Sequence, residues 1–79
     1  MEQTSQKITL YTGTMCPKCM FIKSRLVDKL ISYETINIDH NDEARELLRE
    51  QGFQSLPILQ IGETLHGDYP TIAALVEEL

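Results

Sequence analysis

The most informative segment of this 79-residue chain is Tyr11-Thr12-Gly13-Thr14-Met15-Cys16-Pro17-Lys18-Cys19. Two cysteines stand three positions apart, and a proline follows the first of them. Proline suits the first turn of a helix, because its missing N–H would have no partner there. Apolar residues then recur at helical spacing, at Cys19, Ile22, Leu26 and Leu30. The segment therefore predicts a helix that begins beside Cys16.

The rest of the chain alternates between strand and helix patterns. Residues 7–12, 33–38 and 56–61 are rich in β-forming residues, and residues 64–66 predict a short fourth strand. Asn41 is a plausible N-cap for a second helix that Gly52 closes, and residues 70–79 predict a third helix. We expect one α/β domain over residues 1–79, with the order β-α-β-α-β-β-α and residues 1–6 flexible. The first two strands should be parallel and the closing hairpin antiparallel, in a mixed four-stranded sheet flanked by helices.

Composition and charge narrow the class of protein. Hydrophobic residues make up 42% and charged residues 24%, which is typical of a globular domain. The net charge of -5 disfavours nucleic acid as a partner. The polar beginning lacks the apolar run of a secretory signal, and no stretch approaches a membrane span. We expect a monomer in the cytosol, without membrane or nucleic-acid partners. In that reducing compartment, two cysteines three apart favour catalysis or metal binding over a permanent bridge.

A structural crosslink does not explain the cysteines. A chain this short buries only about 60% of its unfolded surface on folding, so help from a disulfide would be useful. A crosslink stabilises mainly by closing a loop in the unfolded chain, however, and Cys16–Cys19 closes almost none. We therefore expect packing to carry the stability, and reduction of the pair to change it only modestly.

The position of the cysteines predicts thiol chemistry. Free N–H groups and the helix dipole at the start of a helix stabilise a thiolate at Cys16, which makes it the attacking sulfur. Cys19 lies one turn further in and is expected to resolve the mixed disulfide. Lys18 adds positive charge, Pro17 stiffens the turn, and Met15 is a candidate apolar rim for a partner peptide.

Metal binding, without catalysis, is the alternative role for the two cysteines. A tetrahedral zinc site needs about four ligands, and one Cys-X-X-Cys supplies two. The other candidates are His40 and His66, which the predicted topology places far apart. A metal or cluster shared between two chains stays open.

The segment from Tyr11 to Cys19 resembles the active-site segment of the glutaredoxins, which have the thioredoxin fold. Ser55-Leu56-Pro57 likewise resembles the segment where that superfamily has a cis-proline facing the cysteines. The resemblance covers residues 7–79. It implies that Pro57 is cis and that the backbone of Leu56 pairs with an extended substrate segment.

Two subfamilies are similar to this chain. Glutathione-using glutaredoxins usually carry Lys or Arg where Gly13 stands, Tyr where Lys18 stands, and a Gly-Gly pair followed by Asp near the last helix. Residues 36–39, 51–57 and 67–70 are instead similar to NrdH-type redoxins. That resemblance implies electrons from NADPH through thioredoxin reductase and ribonucleotide reductase as a substrate. No bound cofactor is expected, because the electrons reside on the two sulfurs. The resemblance also implies substrate contacts at Gly67 and Asp68, although His66 and Asp68 depart from the usual residues of the group. Glutathione as reductant is the alternative.

Overall fold

The predicted order of elements is confirmed in a computed structural model that describes residues 7–79. The expectation that residues 1–6 are flexible lies outside the described residues. The strands are β1 (Ile8–Thr12), β2 (Glu34–Asn37), β3 (Ile58–Ile61) and β4 (Thr64–His66). The helices are α1 (Pro17–Asp28), α2 (Asp42–Glu50) and α3 (Tyr69–Glu78), and a 3₁₀ turn at Ile38–His40 follows β2.

The four strands form one mixed sheet in the order β2-β1-β3-β4. β1 runs parallel to β2 and antiparallel to β3, with Tyr11 opposite Ile36 on one side and Ile58 on the other. β3 and β4 form the predicted antiparallel hairpin. β1 therefore lies in the middle of the sheet, and all five of its residues are buried.

Alternation along β1 sends side chains to two hydrophobic clusters. Ile8 and Leu10 pack in the larger cluster, between the sheet and helices α1 and α3. Tyr11 points the other way and packs with Ala44, Leu48 and Ile58 beneath α2. Burying one large aliphatic side chain contributes about 1.5–3 kcal/mol. The helices cover both faces of the sheet as expected, and these two layers hold the start of α1 in place.

An exposed ion pair also joins α1 to α3. Arg25 Nε donates to Glu77 Oε2 at 2.7 Å, and Arg25 Nη2 donates to Glu77 Oε1 at 3.0 Å. This two-bond contact lowers the pKa of the Glu77 carboxyl below its ordinary value of 4.5. Glu77 is therefore a carboxylate at neutral pH, and the pair remains formed there.

The end of α1 departs from the sequence expectation at Leu30. The helix ends at Asp28, and Leu30 adopts a left-handed conformation (φ 59°) with 92% of its surface exposed. The N–H of Leu30 donates to the carbonyl of Val27, and that of Ile31 donates to the carbonyl of Leu26, which is a Schellman cap. Ile31 therefore packs on the core in place of Leu30. The prediction that Leu30 continues the buried stripe is wrong, because the helix ends at Asp28 and the chain turns at Leu30 itself.

The remaining differences concern the ends of elements. β2 ends at Asn37 because the chain enters the 3₁₀ turn at Ile38. β3 begins at Ile58, two residues later than expected, because Pro57 before it has no N–H to donate to the strand ladder. Gly52 closes α2 as predicted. Its φ of 91° and the bond from Phe53 N–H to the Leu48 carbonyl make a second Schellman cap.

Candidate active site

Cys16 is the N-cap of α1. Its carbonyl accepts the first helical hydrogen bond from Met20 N–H at 3.1 Å, and its Sγ accepts one from Cys19 N–H at 3.1 Å. The two cysteines are joined in a disulfide, with 5.2 Å between their Cα atoms. A thiolate formed at Cys16 on reduction would lie at the positive end of the helix dipole and would accept the same N–H. The local geometry therefore suits an ionised sulfur at this position.

The two sulfurs differ in exposure. Cys16 is partly exposed, whereas Cys19 is completely buried on the inner face of α1 with Ile22 and Leu26. A partner disulfide can approach Cys16 from solvent, but it cannot reach Cys19 without displacing Cys16. Cys16 is therefore accessible to a partner from solvent, and Cys19 is not.

A shallow groove of about 410 Å³ surrounds the exposed sulfur. It is lined by Met15, Cys16, Pro17, Lys18 and Leu56. Met15 is 91% exposed, so its side chain forms an apolar rim that no described part of the chain covers. The fold thus brings together four adjacent residues of the cysteine segment and Leu56, which lies some forty positions away in the sequence.

The segment before β3 forms one wall of this groove. The Leu56–Pro57 peptide bond is cis, as the resemblance implies, and Pro57 is fully buried. The ladder between β1 and β3 ends at Tyr11 and Ile58, so Leu56 lies beyond it. Within residues 7–79, the N–H of Leu56 makes no hydrogen bond to another backbone group. This N–H beside the groove is free to pair with an incoming strand.

Gly67 and Asp68 have structural contacts outside the lining of the groove. Gly67 approaches the ring of Phe53 so closely that a Cβ there would lie 2.4 Å from Phe53 Cδ1. Asp68 is the N-cap of α3, and its Oδ2 accepts from Thr71 N–H at 3.2 Å and from Thr71 Oγ1 at 2.6 Å. Their substrate contacts stay predictions.

Asp39 anchors the loop that leads into Cys16. Its Oδ2 accepts a hydrogen bond from Thr14 N–H at 2.8 Å, and this bond lowers the pKa of the Asp39 carboxyl. Asn37 adds two contacts, since its Oδ1 accepts from Asp39 N–H at 2.8 Å and its Nδ2 donates to Thr14 Oγ1 at 3.4 Å. The contacts assign Asp39 to Thr14, a partner that no local pattern indicates.

An aromatic pair lies on the α3 side of the groove. The Lys18 ammonium lies 5.1 Å from the centroid of the Tyr69 ring, within the range of a cation–π contact. The Phe21 ring meets Tyr69 edge to face, with 6.5 Å between the centroids. Sequence reasoning missed the Lys18–Tyr69 contact, because the two residues are far apart in the chain.

Metal ligands do not gather at the cysteines. Among the described residues, no group of three or more His, Cys, Asp or Glu side chains is placed to hold a metal ion. His40 follows β2 and His66 belongs to β4, and these strands are the two opposite edges of the sheet.

Within residues 7–79, none of the helices could span a membrane.

Comparisons with known proteins agree with the fold and the cysteine pair. The sequence profile of the glutaredoxin family matches residues 8–66. The chain is 39% identical over 57 residues to the glutaredoxin-like protein NrdH of Escherichia coli strain K12, covering 72% of this chain and 70% of that protein. It is 33% identical over 75 residues to a glutaredoxin of Neisseria meningitidis serogroup A, covering 92% and 88% of the two chains.

A solved structure supports the same assignment. The NrdH-redoxin of Escherichia coli, a glutaredoxin-like protein with a thioredoxin-like activity profile, superposes with a TM-score of 0.77 at 34% identity. The match covers 87% of this chain and 93% of that one. The thioredoxin fold and the similarity to NrdH-type proteins are therefore confirmed. This chain belongs to the glutaredoxin family, and it is a thiol-disulfide oxidoreductase whose Cys16–Cys19 pair fits a Cys-X-X-Cys active site.

Proposed function

We propose that this chain is an electron-donor redoxin of the NrdH type. It reduces disulfides of partner proteins, with ribonucleotide reductase as a substrate. Thioredoxin reductase returns it to the dithiol form with electrons from NADPH. The proposal is supported by the similarity to NrdH proteins, one of which has a thioredoxin-like activity profile.

The unequal exposure of the cysteines carries the assignment of their roles. Cys16 is partly exposed in the groove, and its sulfur already accepts the N–H of Cys19. Cys19 is fully buried. Because an attacking thiolate needs both stabilisation and access, Cys16 is the nucleophile and Cys19 the resolving thiol.

The reaction transfers two electrons in two exchanges. The Cys16 thiolate attacks one sulfur of the partner disulfide, forms a mixed disulfide with it, and releases the other sulfur as a thiolate that takes up a proton. Cys19 then loses its proton and attacks the Cys16 sulfur. The Cys16–Cys19 bond forms, the mixed disulfide breaks, and the second partner thiol leaves. The partner is reduced and the redoxin oxidised, with no bound cofactor required.

The groove supplies the contacts that orient the partner. The unpaired N–H of Leu56, next to buried Pro57, donates to a carbonyl of an extended partner segment, which pairs as an added strand. Met15 and Pro17 offer apolar surface, and Lys18 offers positive charge. Gly67 and Asp68 contribute through the loop before α3, where Asp68 fixes the start of the helix.

The surroundings of Gly13 favour a protein reductant over glutathione. The family resemblance associates glutathione binding with a cation at this position, which holds a carboxylate of the tripeptide. A Cβ at Gly13 would lie 2.9 Å from Leu56 Cδ1 and 3.5 Å from the Asp39 carboxylate. A side chain at this position would therefore require the Leu56 side chain to shift. An anion stands beside the site where an anion would have to bind, and like charges repel.

Glutathione is the second candidate because of one further observation. Arg45 and Arg49 line a cleft of about 510 Å³ that shares Leu56 with the groove. Guanidinium groups bind carboxylates well, so these two side chains would favour a carboxylate-bearing tripeptide.

We also propose that the protein acts as a monomer in the cytosol and binds neither nucleic acid nor membrane, consistent with its net charge of -5.

One assay separates the two reductants. NADPH consumption is measured with a protein disulfide as substrate, first with thioredoxin reductase and then with glutathione plus glutathione reductase. We expect turnover with thioredoxin reductase, and its loss in Cys16→Ser. Robust turnover only with glutathione would reverse the choice. No turnover with either reductant, in a folded protein whose disulfide dithiothreitol can reduce, would contradict both.

A further inference from the structure

The ring of Tyr69 is held firmly beside the redox centre. Tyr69 is the first residue of α3, whose start is fixed by the Asp68 side chain through Thr71 N–H at 3.2 Å. The ring packs partly buried against the core between the sheet, α1 and α3. The ring also forms an edge-type pair with Phe21, with an angle of 61° between the two rings. The ring therefore presents a fixed surface next to the first turn of α1.

Lys18 rests on that surface. Its Nζ lies 5.1 Å from the ring centroid, close enough for the electron-rich face to attract the ammonium. A lysine side chain on the surface of a helix otherwise samples many rotamers, because its stem has four flexible bonds. Lys18 and Cys16 line the same groove, and Lys18 is the one charged residue among those that line it. The ring therefore restricts the charge of a residue that lines the groove together with Cys16.

We propose that Tyr69 is a positioning residue of the redox centre, which holds the Lys18 ammonium beside Cys16 so that the charge stabilises the thiolate formed on reduction. Tyr69 acts through Lys18 and has no chemical role of its own. The proposal rests on the assignment of Cys16 as the attacking thiol.

Other groups around Cys16 also affect its ionisation. From α1 itself come the helix dipole and the N–H of Cys19, which donates to the sulfur at 3.1 Å. The turn after β2 contributes the Asp39 carboxylate, which is held by Thr14 N–H. The start of α3 contributes the Asp68 carboxylate, which is held by Thr71. The segment before β3 contributes uncharged Leu56. Substitutions at Lys18 or Tyr69 leave all of these groups in the protein.

The test titrates a single thiol. In a reduced Cys19→Ser background, Cys16 is the remaining cysteine, and its ionisation is followed by the ultraviolet absorbance of the thiolate. Lys18→Met is expected to raise the titration midpoint by roughly a few tenths of a pH unit, the order of magnitude for removing one nearby unit charge that water screens. Tyr69→Leu is expected to produce about half of that rise, because Lys18 then spends less time beside the sulfur.

Two controls separate positioning from structural damage. Tyr69→Phe keeps the ring and is expected to leave the midpoint unchanged. In a Lys18→Met background, Tyr69→Leu is expected to have no further effect, because no charge remains to be positioned. An equal shift in both backgrounds, or no shift with Lys18 present, would overturn the proposal.

A second measurement needs no substitution at Tyr69. Protons on the lysine Cε above an aromatic ring shift upfield in NMR spectra, and we expect this shift for Lys18 in the unmodified protein. Its absence would overturn the proposal even if Tyr69→Leu fails to fold. Both measurements are independent of disulfide exchange. A protein that does not reduce disulfides would therefore contradict the proposed function and leave the titration readable.

Discussion

Gly67 stands where the ring of Phe53 leaves no room for a side chain. A methyl group there would lie 2.4 Å from Phe53 Cδ1 and 2.6 Å from Phe53 Cε1, whereas carbon atoms in contact are about 3.5–4.0 Å apart. The ring packs against the cluster beneath α2, which includes Leu48 and Ile58. We therefore expect Gly67→Ala to force the ring out of its packed position.

The expected cost follows from this overlap. Inserting a methyl group into packed surroundings costs about 1–3 kcal/mol of the free energy of unfolding. In a domain of this size, each kcal/mol lowers the melting temperature by roughly 4–8 °C. Phe53→Ala has a cost of its own, about 2 kcal/mol, because the ring is only partly buried and a fully buried Phe loses 3–5 kcal/mol. Without the ring, however, the three atoms nearest to the added methyl group are gone, and the overlap disappears with them.

Urea unfolding of four proteins measures the effect. They are the unmodified chain, Gly67→Ala, Phe53→Ala and the double variant, each followed by circular dichroism. We expect Gly67→Ala to be destabilising in the unmodified chain and to cost less than about 0.5 kcal/mol in Phe53→Ala. The reasoning is refuted if Gly67→Ala is neutral, or if its cost is the same in both backgrounds.

Three further predictions concern stability. The two Schellman caps should respond in opposite directions. Gly52→Ala puts a side chain on a residue with a φ of 91° and should lower the free energy of unfolding by about 1 kcal/mol. Leu30→Gly removes an exposed side chain from a residue with a φ of 59° and should raise it by about 1 kcal/mol. Equal signs in urea unfolding would contradict this. The bond from Arg25 lowers the pKa of Glu77 in the folded protein. The ion pair therefore contributes fully to the free energy of unfolding above pH 4.5, and this contribution is lost as the pH falls through the lowered pKa of the folded state. Glu77→Gln should therefore flatten the acid limb of the stability–pH curve, and an unchanged limb would argue against the ion pair. Reducing Cys16–Cys19, which closes a loop of only four residues, should lower the free energy of unfolding by at most about 2 kcal/mol. Unfolding on reduction at room temperature would show that the bridge carries the stability.

Local patterns were enough to predict most of the fold. The β-forming residues 7–12 correctly predict the strand β1, whose period of two then sends Leu10 and Tyr11 to opposite faces. Gly52 marks the end of α2, since glycine adopts a positive φ readily. The end of α1 could not be predicted in this way, because the left-handed residue after it is Leu30, and leucine is not a residue type that marks the end of a helix. The cis state of Pro57 came from family resemblance and not from the residues themselves.

The contacts that shape the site join residues far apart in the chain, and sequence patterns did not predict them. Thr14 and Asp39 are joined by one hydrogen bond across 25 positions. Lys18 and Tyr69 meet because α1 and α3 pack side by side on the sheet. Such pairs depend on how elements pack, and a periodic pattern reports only which face of an element is apolar. The cysteines were found because their chemistry depends on local spacing and on the start of a helix.

The central claim is that Cys16 attacks and Cys19 resolves, and mass spectrometry tests it most directly. Reduced Cys19→Ser and Cys16→Ser variants are each incubated with a protein disulfide, and the covalent adducts are weighed. Because Cys16 is partly exposed and Cys19 fully buried, Cys19→Ser should accumulate a mixed disulfide through Cys16. Cys16→Ser should accumulate none. Equal trapping by the two variants, or trapping by Cys16→Ser alone, would contradict the account.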